Sequence, residues 1–330
     1  MKNQPINYPQ IVLSRAAGFC FGLEKKLLIV CAGVAKDVVA ENVAFLGLQA
    51  AVDLLDATGL SADYPPFEVN EAYGAVFTAS DTAHPMLMLR GLCRLYQTAG
   101  VPVLALSGWP LPTDSGQFKR QVDLGGNVTV PGMFDLAARF CGGAPGDYFE
   151  FGTFLGYTLQ CAFHASNSRA LATNRRFIAF DSFAGIVGSK IGEGWVDGGY
   201  AASVQSLKFA NLIAEVPSSK VVMVEGAYQH TLQDAGLADT RATIGETQAA
   251  VIHIDCDVEE PAKLALDFMT PYMRQGTLLL FDEFDVNRAD NAKGERAALR
   301  AWLKENPGFE IEPYRCYHVH ARSFILHKKS

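Results

Sequence analysis

Five short apolar runs set what the second half of this chain can fold into. They lie at residues 147–151, 177–180, 220–224, 250–254 and 277–281, and each is followed directly by Gly, Asp or Glu. Four or five unbroken residues of strand composition are what a parallel strand reads as when helices cover both of its faces. Helical stretches are expected between the runs. Residues 261–273 follow Glu259 and Glu260 and begin with a proline that suits a first helical turn. Residues 294–305 carry Ala297, Leu299, Ala301, Trp302 and Leu303 and stop before Pro307. Two more strands are expected at 309–313 and 323–327. Seven strands with helices between them argue for a three-layer α/β domain.

The first part of the chain reads as a smaller α/β domain. Strands are expected at 10–13, 43–46, 75–78 and 102–106, and helices at 23–38, 49–58 and 86–99. Residues 109–116 are rich in turn formers and read as a linker. The expected domains are therefore 1–115 and 116–330, which suits a chain of 330 residues. Apolar residues make up 49% of the chain and charged ones 19%, so a core can form and a disordered chain is excluded. The net charge is −7 with no Lys/Arg cluster, which argues against nucleic acid or an anionic membrane as partner. The apolar run at 27–35 falls short of the roughly 20 residues of a membrane span. No signal peptide is read. The seven cysteines are scattered, with no C-x-x-C, so a disulfide framework is not expected and a cytoplasmic location is.

The stretch from Gly146 to Thr158 runs strand, acidic residue, glycine turn, helix. Gly152 and Gly156 would let a ligand approach the backbone at the carboxyl edge of the sheet. Their spacing differs from the glycine pattern that seats a pyrophosphate. Glu150, at the end of the first strand, would repel phosphate but suits a cationic ligand such as S-adenosylmethionine. Asp181, at the end of the second, could accept both ribose hydroxyls. Thr153 and Ser182, their neighbours, join the expected cofactor set. A valine at 152 is expected to block the cofactor and leave the fold intact. The competing reading is an ordinary glycine turn with a capping aspartate. His253, Asp255 and Asp257 alternate at the fourth strand end, so a period of two puts them on one face. Asp282 and Glu283 close the next strand, about 4.8 Å away. Crowded carboxylates repel unless a cation or protons lie between them, and oxygen-only ligands suit Mg²⁺. Helix caps without metal are the alternative.

Six motifs in order carry a resemblance: Val128–Gly132, Gly146–Gly152, Asp181–Gly185, Glu225–Leu232, His253–Asp257 and Phe281–Phe284. Residues 125–327 resemble a class I S-adenosylmethionine-dependent methyltransferase of the macrocin O-methyltransferase-like family. The resemblance implies a seven-stranded Rossmann-like sheet with helices on both faces and the last strand antiparallel. It implies adenine contacts from Glu225, Gly226 and Ala227. It implies Mg²⁺ on Asp255, Asp282 and Glu283, with Asp257 as general base and Asp255 serving both cofactor and catalysis. The expected activity is methyl transfer to a hydroxyl of a small molecule, a secondary metabolite or sugar, by a homo-oligomer. Val258-Glu259-Glu260 and Asp282-Glu283 depart from the family pattern. A metal-independent N-methyltransferase and a non-catalytic S-adenosylmethionine-binding scaffold are the other readings. Separately, Ala17–Gly22, expected after a strand and before a helix, resembles the opening of hydroxymethylbutenyl diphosphate reductase, whose cysteine holds an iron–sulfur cluster. Cys93 could serve Cys20 as a second ligand, but no third cysteine sits at a matching place in this part of the chain, so the favoured reading is a buried cysteine in a domain for substrate access or assembly. His318 and His320 are expected to share a strand face, and Trp195 and Tyr200 to border a glycine-rich loop. Arg288 and Arg296 flank the last acidic motif.

Overall fold

The computed structural model describes residues 8–33, 35–57, 72–80, 89, 91–93, 95–96, 99–106, 128–142, 144–167, 174–187, 195 and 197–329. Its elements in chain order are α1 (Tyr8–Gly22), β1 (Lys26–Ala32), α2 (Ala35–Phe45), β2 (Val52–Asp56), β3 (Tyr73–Ser80), β4 (Val103–Ala105), α3 (Val130–Phe140), β5 (Asp147–Phe151), α4 (Tyr157–Asn167), β6 (Phe177–Asp181), α5 (Val204–Ile213), β7 (Val221–Glu225), α6 (Tyr228–Thr231), α7 (Asp234–Ile244), β8 (Ala249–Ile254), α8 (Glu259–Met269), β9 (Leu278–Phe281), α9 (Gly294–Glu305), β10 (Phe309–Tyr317) and β11 (Ala321–Lys328). Two compact units divide the chain. One holds Met1–Thr113, Phe154–Tyr157 and Gly199–Glu215; the other holds Asp114–Thr153, Thr158–Gly198 and Val216–Ser330. Among the described residues no helix is long and apolar enough to cross a membrane.

The second unit is built on a seven-stranded sheet of order β10-β11-β9-β8-β5-β6-β7. Strands β5 to β9 run parallel, and β11 is antiparallel to both β9 and β10. The apolar runs thus form the strands expected of them. Alternation divides their side chains between the two faces. Phe149, Phe151, Ile178, Phe180, Ile252, Ile254, Leu279 and Phe281 pack with Ala262, Leu266 and Met269 of α8 and Trp302 of α9. On the opposite face Phe134 of α3 lies 6.0 Å from Tyr148, and Phe163 of α4 lies 5.6 Å from Phe177. Helices therefore cover both faces, which is why these strands carry no polar alternation.

The first unit holds a parallel sheet of order β2-β1-β3-β4. Here several expectations are inverted. Residues 10–13 lie in α1 rather than a strand, and 43–46 fall at the end of α2. Of the helix expected over 23–38, residues 26–32 form β1 and only 35–38 are helical, as the start of α2; that over 49–58 gives way to β2, with residue 58 outside the described residues. Strands at 75–78 and 102–106 do form as β3 and β4. The cause is physical. A short apolar run such as Leu27–Ala32 suits a buried strand or a buried helix equally by periodicity. Helix α1 has no acidic residue in its first turn and no basic one in its last, so the usual end signals are missing. The stretch Ala17–Gly22 consequently ends a helix and precedes a strand. Residues 89, 91–93 and 95–96 are helical; the rest of the 86–99 expectation and the 109–116 linker lie outside the described residues, apart from Ala99.

Helix α5 completes this unit from far along the chain. Ser203 caps it by accepting the Ser206 N–H at 3.1 Å, and its hydroxyl donates to Ser206 Oγ at 2.9 Å. Ser206 Oγ in turn accepts the Val103 N–H of β4 at 2.9 Å. Phe209 lies 4.8 Å from Phe19 of α1 and 6.3 Å from Phe77 of β3. At the other end, the Arg15 guanidinium donates to Ile213 O at 2.6 Å, satisfying a terminal carbonyl of α5.

Candidate functional site

The carboxyl ends of β5, β6, β7, β8 and β9 bring together most of the residues singled out in the sequence. After β5 the chain turns at Gly152, with φ +89°. Its N–H donates to Phe180 O at 3.0 Å, and a Cβ there would sit 1.7 Å from Asp255 O. The turns after β5 and β8 therefore touch backbone to backbone. Asp181 closes β6 and links it to the same turn: Oδ2 accepts the Thr153 N–H at 2.9 Å and Oδ1 the Phe183 N–H at 2.6 Å. Its carbonyl accepts the Gly226 N–H at 2.9 Å, which joins the end of β7. Thr153 is buried, and its hydroxyl has no hydrogen-bond partner. Ser182 Oγ accepts the Ala184 N–H at 3.2 Å. Glu225 is exposed, while Gly226 and Ala227 are half-buried. Gly156, at φ +79°, groups with the first unit.

Glu150 and His253 lie deeper, both fully buried. The Tyr148 hydroxyl donates to Glu150 Oε2, and His253 Nδ1 stands 3.5 Å from that oxygen. His253 Nε2 lies 4.0 Å from Asp282 Oδ1, with the Phe134 ring edge-on at 5.5 Å between centroids. The alternation expected of His253, Asp255 and Asp257 does not reach Asp257. Strand β8 ends at Ile254, and the chain then makes a tight turn in which Val258 N–H donates to Cys256 O at 2.6 Å with Asp257 at φ +63°.

Asp255, Asp282 and Glu283 converge at the ends of adjacent strands. Each offers an oxygen within 4.8 Å of the others, and all three are half-buried. Asp257 and Glu295 stand close by. Among the described residues no Lys or Arg pairs with any of the five. Burial and mutual repulsion consequently disfavour the charged forms of Asp255, Asp257 and Glu283. Burial, then Asp282 and Asp257, pushes the Asp255 carboxyl well above its usual range. Burial, then Asp282 and Asp181, pushes Asp257 up to about 7. Glu283 is raised by burial and then by Asp255 and Asp282. Tyr317 is 1% exposed, its hydroxyl is without a hydrogen-bond partner, and burial followed by Asp282 raises its pKa. A divalent cation would relieve the repulsion among Asp255, Asp282 and Glu283, and the donors are oxygen alone, the set that suits Mg²⁺.

Residues 149–284 match the family model of a methyltransferase domain. The matched stretch begins within β5 and ends just past β9, so it includes every strand end described above. No curated protein matches the chain. Among solved structures it is similar to the calicheamicin methyltransferase CalS11, at 22% identity over 58% of this chain and 77% of that one, with a TM-score of 0.48. It is also similar to the O-methyltransferase NovP, at 15% identity over 61% of this chain and 79% of that one, with a TM-score of 0.45. A third is an O-methyltransferase from Bacillus cereus in complex with SAH, at 13% identity over 64% of this chain and 84% of that one, with a TM-score of 0.39.

Away from these strand ends the remaining candidates have ordinary surroundings. His318 and His320 lie in the exposed turn between β10 and β11, not along one strand face. Cys20 is buried in α1, and burial pushes its thiol up to about 11; burial likewise takes Cys93 to about 12. Arg296 pairs with Asp285 and stacks 4.4 Å over Phe284, whereas Arg288 is exposed. Tyr200 meets Phe154 edge-on at 5.8 Å within the first unit. Residues 192–194 and 196 of the glycine-rich loop lie outside the described residues.

The sequence reading overlooked Glu295 and Tyr317. An acidic residue in the first turn of the helix after Asp282-Glu283 was the available signal for Glu295. Within the matched stretch the Asp257 turn is strained, because left-handed backbone disfavours a side chain by about 1–2 kcal/mol. Asp257→Gly and Asp257→Ala both remove the carboxylate, so only the backbone distinguishes them. We expect the glycine variant to be about 1 kcal/mol more stable in urea unfolding. Equal stabilities would mean that the turn relaxes freely.

Proposed function

We propose that this chain moves a methyl group from S-adenosylmethionine to a hydroxyl of a small molecule, a secondary metabolite or sugar, with Mg²⁺ assisting deprotonation. The observation that carries the reading is the meeting of Asp255, Asp282 and Glu283 without a paired cation inside the matched domain. The residues present fit such an ion: Asp282 Oδ1 and Glu283 Oε2 are buried atoms lacking any hydrogen-bond partner. They also fit the sulfonium cofactor, with the unpartnered Thr153 hydroxyl beside the Gly152 turn and Asp181 on the next strand. Bound S-adenosylmethionine would supply an electrophilic methyl group, and bound Mg²⁺ would lower the pKa of the acceptor hydroxyl.

The chain's own residues supply position and a base. Gly152, Thr153, Asp181, Ser182 and the Glu225–Ala227 segment line the cofactor. Asp255, Asp282 and Glu283 hold the ion, and Asp257 takes the acceptor proton. Most of the acceleration comes from holding acceptor and methyl donor in line. In this reading the macrocin O-methyltransferase-like enzymes are the relatives in chemistry, the protein is a cytoplasmic homo-oligomer, and the first unit serves substrate access or assembly.

The test is a screen of candidate acceptors by mass, followed by exhaustive chelation. We expect EDTA to lower turnover at least about 100-fold, with recovery on adding Mg²⁺, and Asp282→Asn to reproduce the loss. Full turnover in EDTA with Asp282→Asn still active would eliminate the metal and leave Asp257 with proximity, as for an amine acceptor. Absence of S-adenosylmethionine binding in calorimetry would reduce the site to a scaffold.

A further inference from the structure

Glu295 is the second residue of α9 and only 1% exposed. Its Oε1 accepts the N–H of Cys256 at 3.3 Å, and its Oε2 accepts the N–H of Glu283 at 3.1 Å. Cys256 stands between Asp255 and Asp257 in the loop after β8. Glu283 follows Asp282 in the loop after β9. The ladder between these strands ends at the bond from Asp282 N–H to Ile254 O, 3.1 Å long. Beyond it, among the described residues, no backbone hydrogen bond joins the two loops.

We propose that Glu295 is a positioning residue that clamps the two acidic loops together, and so sets the spacing of Asp255 from Asp282 and Glu283 for a divalent cation. The cation rests on the reading above. Two amides need two acceptor oxygens, which a carboxyl group has and a carboxamide does not. Because both oxygens are engaged by amides, Glu295 acts on the site through the loops. A neutral polar residue would hold one loop and turn its own N–H groups toward the other. Burial followed by Asp282 and Asp257 raises the Glu295 pKa, and the bonds from the Cys256 and Glu283 amides oppose that rise.

The experiment compares the full chain with Glu295→Gln by three measurements: Mn²⁺ titration calorimetry, S-adenosylmethionine titration, and amide hydrogen exchange read at single residues. We expect Glu295→Gln to weaken Mn²⁺ about 10–100-fold, as losing a group that orients a metal ligand does. Cofactor affinity should stay within about threefold, and exchange should speed up at Cys256 and Glu283 while the amides within β8 and β9 keep their rates. Mn²⁺ affinity unchanged by the substitution overturns the proposal, whatever the exchange rates. So does an equal loss of cofactor binding, which would mark Glu295 as a general structural prop. If the parent chain itself binds no Mn²⁺, the cation reading falls. The clamp is then judged on exchange alone: faster exchange confined to Cys256 and Glu283 upholds it, and unchanged rates overturn it.

Discussion

Gly152→Ala is expected to destabilise the second unit by about 2–4 kcal/mol, well beyond the difference expected between the two Asp257 variants. Two effects add. A side chain at φ +89° is strained, and its Cβ would lie 1.7 Å from the Asp255 carbonyl oxygen. That oxygen belongs to backbone held by its own bond, Asp255 N–H to Phe151 O at 2.9 Å, so it has little room to withdraw. Gly276→Ala is the control. Gly276 has φ +81°, but a Cβ there meets nothing within 4 Å, and the loss should be only about 1–2 kcal/mol. Urea unfolding of the two variants separates conformational strain from collision. This alters the simpler expectation that a side chain at 152 blocks the cofactor and spares the fold: the side chain points at the acidic loop. Equal losses at 152 and 276 would refute the collision.

Asp257→Asn should lower turnover by about 10²–10⁴-fold, the usual worth of a positioned general base. In the proposed reading this carboxyl is that base. Burial, with Asp282 and Asp181 as neighbours, carries its pKa up to about 7, so it is a much stronger base than a solvated aspartate. The amide keeps the shape of the turn and cannot accept a proton. S-adenosylmethionine affinity should change little. Turnover within a few-fold of the parent would remove Asp257 from the chemistry.

The two halves of the chain differ in how openly they state their structure. In the second half the central strands β5, β6, β8 and β9 are buried on both faces, so Phe149 to Phe151 or Leu278 to Phe281 are apolar with few breaks, and an acidic residue or glycine marks each end. The signal and the physics coincide. In the first half Ile11, Val12 and Leu13 look like a strand but lie in α1. Leu27 to Ala32 read as part of a longer helix, yet they form a strand that Gly33 terminates. Nothing local distinguishes the two, because packing against the rest of the sheet decides them. The site follows the same pattern. Asp255, Asp282 and Glu283 were legible because adjacent parallel strands bring their ends together by construction. Glu295 was not, since its role depends on accepting two backbone amides from other loops, and no spacing rule encodes that. Asp257 came to the right neighbourhood through a tight turn rather than through strand alternation.

The Ser206 contact to Val103 also has a consequence for biosynthesis. Helix α5 enters the first unit from the interval between β6 and β7, so that unit lacks one of its helices when Thr113 is synthesised. Roughly 100 further residues must be added before Glu215 emerges, about 5–20 seconds of translation at the usual rate. During that time the surfaces of Phe77 and Val103 that Phe209 and Ser206 later meet await their partners. The same delay means that residues 1–113 cannot be exchanged between proteins as a self-sufficient cassette, and any recombination that preserves the unit must carry the distant helix with it.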